Sequence, residues 1–246
     1  MRLIIDGDIV AFTAALRNPE DVKEACKEAD NIVEGIYEGT WCTLEDVEMY
    51  IKGDGNFRMG HTDYKAVRKG TVDKRPATLG PVREYLTGKE YCEAAHGAEA
   101  DDFCTTAAQE ALSEGTPYII ATIDKDLRQM SGNHYNIRSG ILDFVSDEDG
   151  YTFLLQQSLT GDAVDGIQGL KGIGPKRAQA ILASDPNDRE GAIARKYCEV
   201  YGAAPHPFDE SLPAWKYELE KCWNLVYMRR SREDNRLLPL PPEFTL

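Results

Sequence analysis

Tyr118-Ile119-Ile120-Ala121-Thr122-Ile123-Asp124-Lys125-Asp126 is the stretch on which the fold turns. Its first five residues carry no charge and have the look of a buried strand, and the chain then meets two aspartates. A helix is expected from Leu127. Working outward, residues 98–112 read as a strong alanine-rich helix, with acids in its first turn where the helix dipole favours them. Leu3-Ile4-Ile5 is a second apolar run, stopping at Asp6-Gly7-Asp8, and residues 10–16 continue as helix. Residues 25–37 have helical spacing, 47–51 read as a strand closed by Gly53-Asp54-Gly55, and 82–86 as a short helix. Strands alternating with helices imply an α/β domain with a mostly parallel sheet. Active sites in such sheets form beyond the carboxyl ends of the strands. Asp6, Asp54 and Asp124 each follow an apolar run by one to three residues, so all three are expected at one crevice.

From about residue 153 the strand-like runs stop. Leu170-Lys171-Gly172-Ile173-Gly174-Pro175-Lys176-Arg177-Ala178 lies within helical surroundings, 184–189 read as a turn and 203–213 as a proline-containing loop. Residues 215–228 read as helix and 237–246 as an extended tail. The expected division is 1–152, an α/β domain, and 153–246, a mainly helical region.

The 246 residues carry a formal net charge of −14, at first sight a poor match to a polyanionic partner. The charge is segregated, however. Acids crowd residues 20–48, whereas bases cluster at Lys65, Arg68, Lys69, Lys74 and Arg75, at Lys171, Lys176 and Arg177, and at Arg229, Arg230 and Arg232. No apolar run is long enough for a membrane helix and the start of the chain is no signal peptide. Six dispersed cysteines without zinc-type spacing read as reduced thiols. A cytoplasmic monomer is expected.

Three constellations carry chemistry. The first is acidic: Asp6, Asp54, Glu99, Asp101, Asp102, Asp124, Asp126, Asp162 and Asp165. Magnesium prefers oxygen ligands, and two such ions activate water and stabilise a leaving oxygen in phosphodiester hydrolysis. Singly, each acid also reads as a helix-start, capping or turn residue; the joint pattern is what points to metal. The second is the G-x-G turn, where backbone N–H groups at Gly172 and Gly174, a helix start, and Lys171, Lys176 and Arg177 suit a phosphate backbone. Its plainer reading is a glycine-ended helix followed by a proline-started one. The third is Asp63-Tyr64-Lys65-Ala66-Val67-Arg68-Lys69. If helical, it sets Lys65, Arg68 and Lys69 on one face to clamp a phosphate, with Tyr64 to stack on a base; an amphipathic surface helix is the alternative.

Those residues, in order, resemble the 5′→3′ exonuclease and flap-endonuclease family, especially short phage exonucleases and the 5′-nuclease domain of bacterial DNA polymerase I. The resemblance covers about residues 3–180. It runs through Ile5-Asp6-Gly7-Asp8, Tyr64-Lys65-Ala66-Val67-Arg68-Lys69, Glu99-Ala100-Asp101-Asp102 with Asp124-Lys125-Asp126, and Gly161-Asp162-Ala163-Val164-Asp165-Gly166 into the glycine turn. It implies a PIN-like fold with a helix-hairpin-helix, and two Mg²⁺ ions for which Mn²⁺ substitutes. Asp6, Asp54, Glu99 and Asp101 would hold the first ion, with Asp102 close by. Asp124 would lie between the sites, and Asp126, Asp162 and Asp165 would serve the second. Lys65 and Arg68 become the phosphate-stabilising cations, Tyr64 a base contact, and the hairpin a duplex grip, in some relatives around K⁺.

The expected function is Mg²⁺-assisted phosphodiester hydrolysis at 5′ ends, flaps or junctions of duplex DNA, with RNA in hybrids a further possible substrate. No histidine base is required, and His61, His96, His134 and His206 form no catalytic arrangement. Three other readings stand beside it: an inactive structure-specific DNA-binding protein, an RNA-cutting nuclease of the same fold and, more remotely, a calcium-binding or metal-storage protein.

Overall fold

Leu3, Ile4 and Ile5 are 0% exposed, and burying each such side chain contributes roughly 1.5–3 kcal/mol. They form the centre of β1 (Arg2–Asp6), which passes directly into α1 (Gly7–Arg17) because the Asp6 side chain caps the helix, accepting from the Ile9 N–H. The computed structural model describes residues 1–60, 64–65, 75–234 and 238–246. Two compact units make up the chain: unit 1 is Met1–Phe57, Thr71–Gly150 and Met228–Asn235, and unit 2 is Arg58–Gly70, Tyr151–Tyr227 and Arg236–Leu246.

Unit 1 continues from α1 through α2 (Val22–Gly39), β2 (Val47–Lys52), α3 (Leu79–Thr87), β3 (Cys92–Ala95), α4 (Ala100–Glu114), β4 (Tyr118–Thr122), β5 (Gly132–Asn136) and β6 (Ile141–Val145). The sheet order is β3-β2-β1-β4-β5-β6, parallel except for β6 against β5. The two faces of β1 separate cleanly, as the two-residue strand period requires. Leu3 and Ile5 pack with Val10, Ala14, Val33 and Val82 from α1, α2 and α3, while Ile4 packs with Cys104, Ala107 and Ala111 of α4.

One expectation fails in this unit. The helix from Leu127 is only a single 3₁₀ turn, Asp126–Gln129, after which the chain enters β5. Strands β3 and β5 carry no apolar run to announce them, and β6, Ile141-Leu142-Asp143-Phe144-Val145, has one interrupted by Asp143. Gly132-Asn133-His134-Tyr135-Asn136 is a strand because β4 offers it an edge, not because of its composition. Residues 228–235 also join unit 1 for a local reason. The Arg229 N–H donates to Asp102 Oδ1 at 3.0 Å, and its carbonyl accepts from Thr105 Oγ1 at 2.6 Å, both on α4.

α5 (Asp147–Thr160) runs from the end of unit 1 into unit 2. There it is followed by β7 (Gly161–Asp162), β8 (Ile167–Gln168), α6 (Pro175–Ser184), α7 (Arg189–Tyr201), β9 (Pro205–His206), β10 (Asp209–Pro213) and α8 (Ala214–Val226). Leu155, Leu159, Leu182, Ile193, Tyr197, Leu219 and Trp223 form its core. The loop expected over 203–213 is an antiparallel hairpin, β9 with β10. The tail is not free: Phe244 is buried and meets Trp223 edge-on, with centroids 5.2 Å apart. All six cysteines are free thiols, and Cys42, Cys104 and Cys222 are buried.

Candidate active site

The sheet order makes β2, β1 and β4 neighbours running the same way, so Asp6, Asp54 and Asp124 emerge at the same end of the sheet in unit 1. Thr122, the last residue of β4, ties two of them together. Its hydroxyl donates to Asp6 Oδ2 at 2.9 Å and accepts from the Asp124 N–H at 2.9 Å. Asp124 Oδ1 in turn accepts from the Asp126 N–H at 2.9 Å. Asp6 is only 4% exposed. Burial first, then the charges of Asp8 and Asp124, push its carboxyl up to about 7, against the opposing hydrogen bonds from Thr122 and Ile9.

A second witness to this crowding is Cys104, fully buried in α4. Burial raises its thiol well above the ordinary value, and Asp6, Asp101, Asp8 and Asp102 raise it further. Carboxylates from the end of β1 and the start of α4 thus share one neighbourhood. At the helix start, Glu99 and Asp102 form a capping box, and Asp101 Oδ1 accepts from the Asp102 N–H at 2.8 Å. Asp102 is 1% exposed and bonds the backbone N–H groups of Glu99 and Arg229, so it braces the frame.

The acids are close without being a ready-made cradle. Among the described residues, no three His, Cys, Asp or Glu side chains are gathered as the ligands of one ion. This departs from the expected convergence, and the reason is electrostatic: carboxylates facing one another repel and take the partners at hand. Asp54, exposed beyond Gly53, lies 2.5 Å from His96 Nδ1, and that hydrogen bond holds its carboxyl below the usual range. Asp126 pairs with Lys125 at 2.8 Å. Asp8 takes Arg83 of α3, at 2.8 Å to Nη2 and 3.0 Å to Nε. The Asp8–Arg83 pair and the Thr122 bridge were not read from the sequence. Asp8, two residues beyond Asp6, offered a signal; Arg83 and Thr122 offered none.

Unit 2 carries the remaining candidates. Lys65 is not helical: its φ is 52°, its N–H donates to the Asp165 carbonyl at 2.7 Å, and its Nζ lies 3.7 Å from Asp165 Oδ2. Arg68 and Lys69 lie outside the described residues. Tyr64 is 3% exposed and belongs to the core, so it is not an open stacking face. Asp162 is also buried, and its Oδ1 accepts from the Val164 N–H at 2.8 Å. The glycine turn follows the β7–β8 pair instead of a helix and leads into α6, with Gly174 as N-cap and Pro175 in its first turn. Gly172 adopts φ 79°, a conformation that favours glycine. Arg177 Nη1 donates to the Gly172 carbonyl at 2.7 Å, so Arg177 braces the turn, while Lys171 and Lys176 are exposed.

No family model matches the chain. Single relatives do. It is 30% identical over 205 residues to the flap endonuclease Xni of Shewanella baltica, covering 76% of this chain and 74% of that protein. The chain belongs to the flap endonuclease family. Another relative is DNA polymerase I of Rhizobium leguminosarum, 31% identical over 129 residues; the match covers 48% of this chain and only 13% of that polymerase. A solved structure of a bacteriophage T5 flap endonuclease, a pseudo-enzyme–product complex with DNA and metal ions, superposes with a TM-score of 0.67 at 17% identity. It covers 91% of this chain and 88% of that one. This flap endonuclease homologue therefore has the 5′-nuclease, PIN-like fold. Among its described residues, no helix is long and apolar enough to cross a membrane.

Proposed function

We propose that the protein is a divalent-metal-dependent nuclease that hydrolyses phosphodiester bonds in DNA at 5′ ends, flaps or junctions, with Mg²⁺ as its working ion. The observation that carries this reading is Asp6: a nearly inaccessible carboxyl, crowded by Asp8 and Asp124, at the carboxyl end of the central strand. Such a charge calls for a cation. The carboxylates proposed to hold it offer oxygen, which suits a hard divalent ion. The nearby thiol of Cys104 is fully buried with its pKa raised, so it stays protonated. The T5 structure, with DNA and metal ions, supports the same assignment.

On this reading Asp6, Asp54, Glu99, Asp101 and Asp124 hold metal in unit 1, with Asp126 beside them and Asp102 fixing the start of α4. The roles of Asp162 and Asp165 in unit 2 rest on the family resemblance. When bound, the ion supplies Lewis acidity and lowers the pKa of water. The chain does the rest. Thr122 fixes the spacing of Asp6 and Asp124, Lys65 supplies a cation for the scissile phosphate, and the Gly172–Gly174 turn with Lys171 and Lys176 holds the duplex backbone without reading sequence. No histidine base is needed. His96 is paired with Asp54 and His134 is buried in β5, where burial lowers its pKa; His206 lies in unit 2 against Tyr217 and Glu218.

The test is a labelled panel of nicked, blunt, flapped and single-stranded DNA, with a DNA–RNA hybrid added, incubated with Mg²⁺ and with EDTA. Cleavage at 5′ ends or junctions that EDTA abolishes is the expected result. Binding that persists without cleavage at any Mg²⁺ concentration overturns the nuclease in favour of a structure-specific DNA-binding protein.

A further inference from the structure

Unit 2 contains a cavity of about 290 Å³ to which the proposed cleavage chemistry gives no role. Its wall carries the aromatic rings of Tyr64, Tyr201, Phe208 and Tyr217, and its polar side chains include Gln168, Lys221 and Glu218, the last within reach of His206. That volume sits at the low end of ligand pockets, about 300–1,000 Å³, so it suits one ring system and not a duplex.

The aromatic groups are held in place. Tyr217 stacks on His206 with centroids 3.8 Å apart at 11°, and His206 Nε2 reaches Glu218 Oε1 at 3.3 Å. Tyr201, the last residue of α7, stacks on Tyr197 at 5.9 Å, and Tyr197 is anchored by donating its hydroxyl to the Ser158 carbonyl at 2.7 Å. Two aromatic positions at this cavity nevertheless stay open to solvent. Tyr201 is 40% exposed, and Phe208, in the turn between β9 and β10, is 87% exposed. Folding gains almost nothing from a phenyl ring left that far in water. Lys221 of α8 makes no ion pair among the described residues, and Gln168 is exposed. Open aromatic faces, an amide and a cation together match a planar aromatic ligand with a polar edge that adjoins a negative charge. Stacking platforms beside basic groups are how proteins hold single-stranded nucleic acid.

We propose that this cavity takes one unpaired nucleobase of a single-stranded DNA segment, stacked on Tyr201 and Phe208, with Lys221 against an adjoining phosphate. The inference rests on the proposed function in taking DNA as the substrate.

The test uses the full chain with flap DNA carrying 2-aminopurine at successive single-strand positions. Ca²⁺ replaces Mg²⁺, and strand integrity is checked on a gel. One position should be quenched on binding. The double variant Tyr201→Ala/Phe208→Ala should lose that quench and bind the flap about tenfold more weakly, as expected for one stacked base, with blunt-duplex affinity unchanged. An abasic residue at the quenched position should cost the parent the same roughly tenfold and the double variant nothing further. Tyr201→Phe should behave as the parent, and circular dichroism establishes that the variants are folded. Equal quenching in parent and double variant, quenching at no position, or fully additive losses overturn the subsite while Mg²⁺ cleavage by the parent stands. A parent that binds no DNA in the panel overturns both readings.

Discussion

Asp6 concentrates the electrostatics of the protein in a single group. Its carboxyl is held near 7 in the fold, where burial and two acidic neighbours disfavour the charge, whereas an unfolded aspartate ionises near about 3.9. Between those values the unfolded chain has released a proton that the native one keeps. Metal-free stability therefore falls as pH rises from about 4 to about 7 and levels off above. Asp6→Asn should leave metal-free melting close to the parent at pH 4 and raise it at pH 8, as read by calorimetry in chelator. A difference independent of pH would remove the argument. Lys65 makes a contrasting case, because its value lies in the side chain while its backbone is strained. Lys65→Ala keeps the same positive φ, so melting should change little, whereas cleavage should slow by about 10²–10³. Cleavage at the parental rate would show that the cation has no role at the phosphate.

Elements decide whether those residues arrive at all. The chain leaves β2 through Gly53, where a Cβ would stand 2.0 Å from the Ala95 carbonyl oxygen. Gly53→Ala must therefore push β2 and β3 apart just before Asp54. We expect a loss of about 1–3 kcal/mol, visible as a lower urea midpoint, and parental stability would mean the turn relaxes freely. At the other basic element, Lys171→Ala with Lys176→Ala should flatten the salt dependence of duplex binding, its logarithmic slope dropping by about 0.9 for each phosphate no longer neutralised. An unchanged slope would take the turn off the binding surface. The same elements show what was legible. β1, β2 and β4 are buried on both faces and must spell themselves out as apolar runs, so their acids could be found from the sequence. β3 and β5 take their conformation from the neighbouring strand, and Gly132-Asn133-His134-Tyr135-Asn136 has no pattern of its own to read. The β9–β10 hairpin hid in the same way behind Pro205, Pro207 and Pro213. Positions of carboxylates were legible; the partners His96 of Asp54 and Arg83 of Asp8 were not, because such pairing depends on side chains far away in sequence.

For the molecule as a whole, the net charge of −14 is a sum over differently charged regions. The division into two units is interleaved: 58–70 sits with the second unit and 228–235 with the first, an arrangement that the single boundary expected at 152 does not describe. That interleaving bears on how the protein opens, and its buried thiols supply a clock. Cys104 is sealed under β1, its Sγ 3.8 Å from the Ile5 carbonyl, and Cys222 is sealed in the other unit, 3.5 Å from the Ser158 carbonyl. Both are nearly inaccessible in the folded protein, and a raised thiol pKa slows alkylation further. Because each unit borrows chain from the span of the other, the two should be modified at one common rate in dilute denaturant, with peptide mass spectrometry following each site. Widely separated rates would mean that the halves breathe independently.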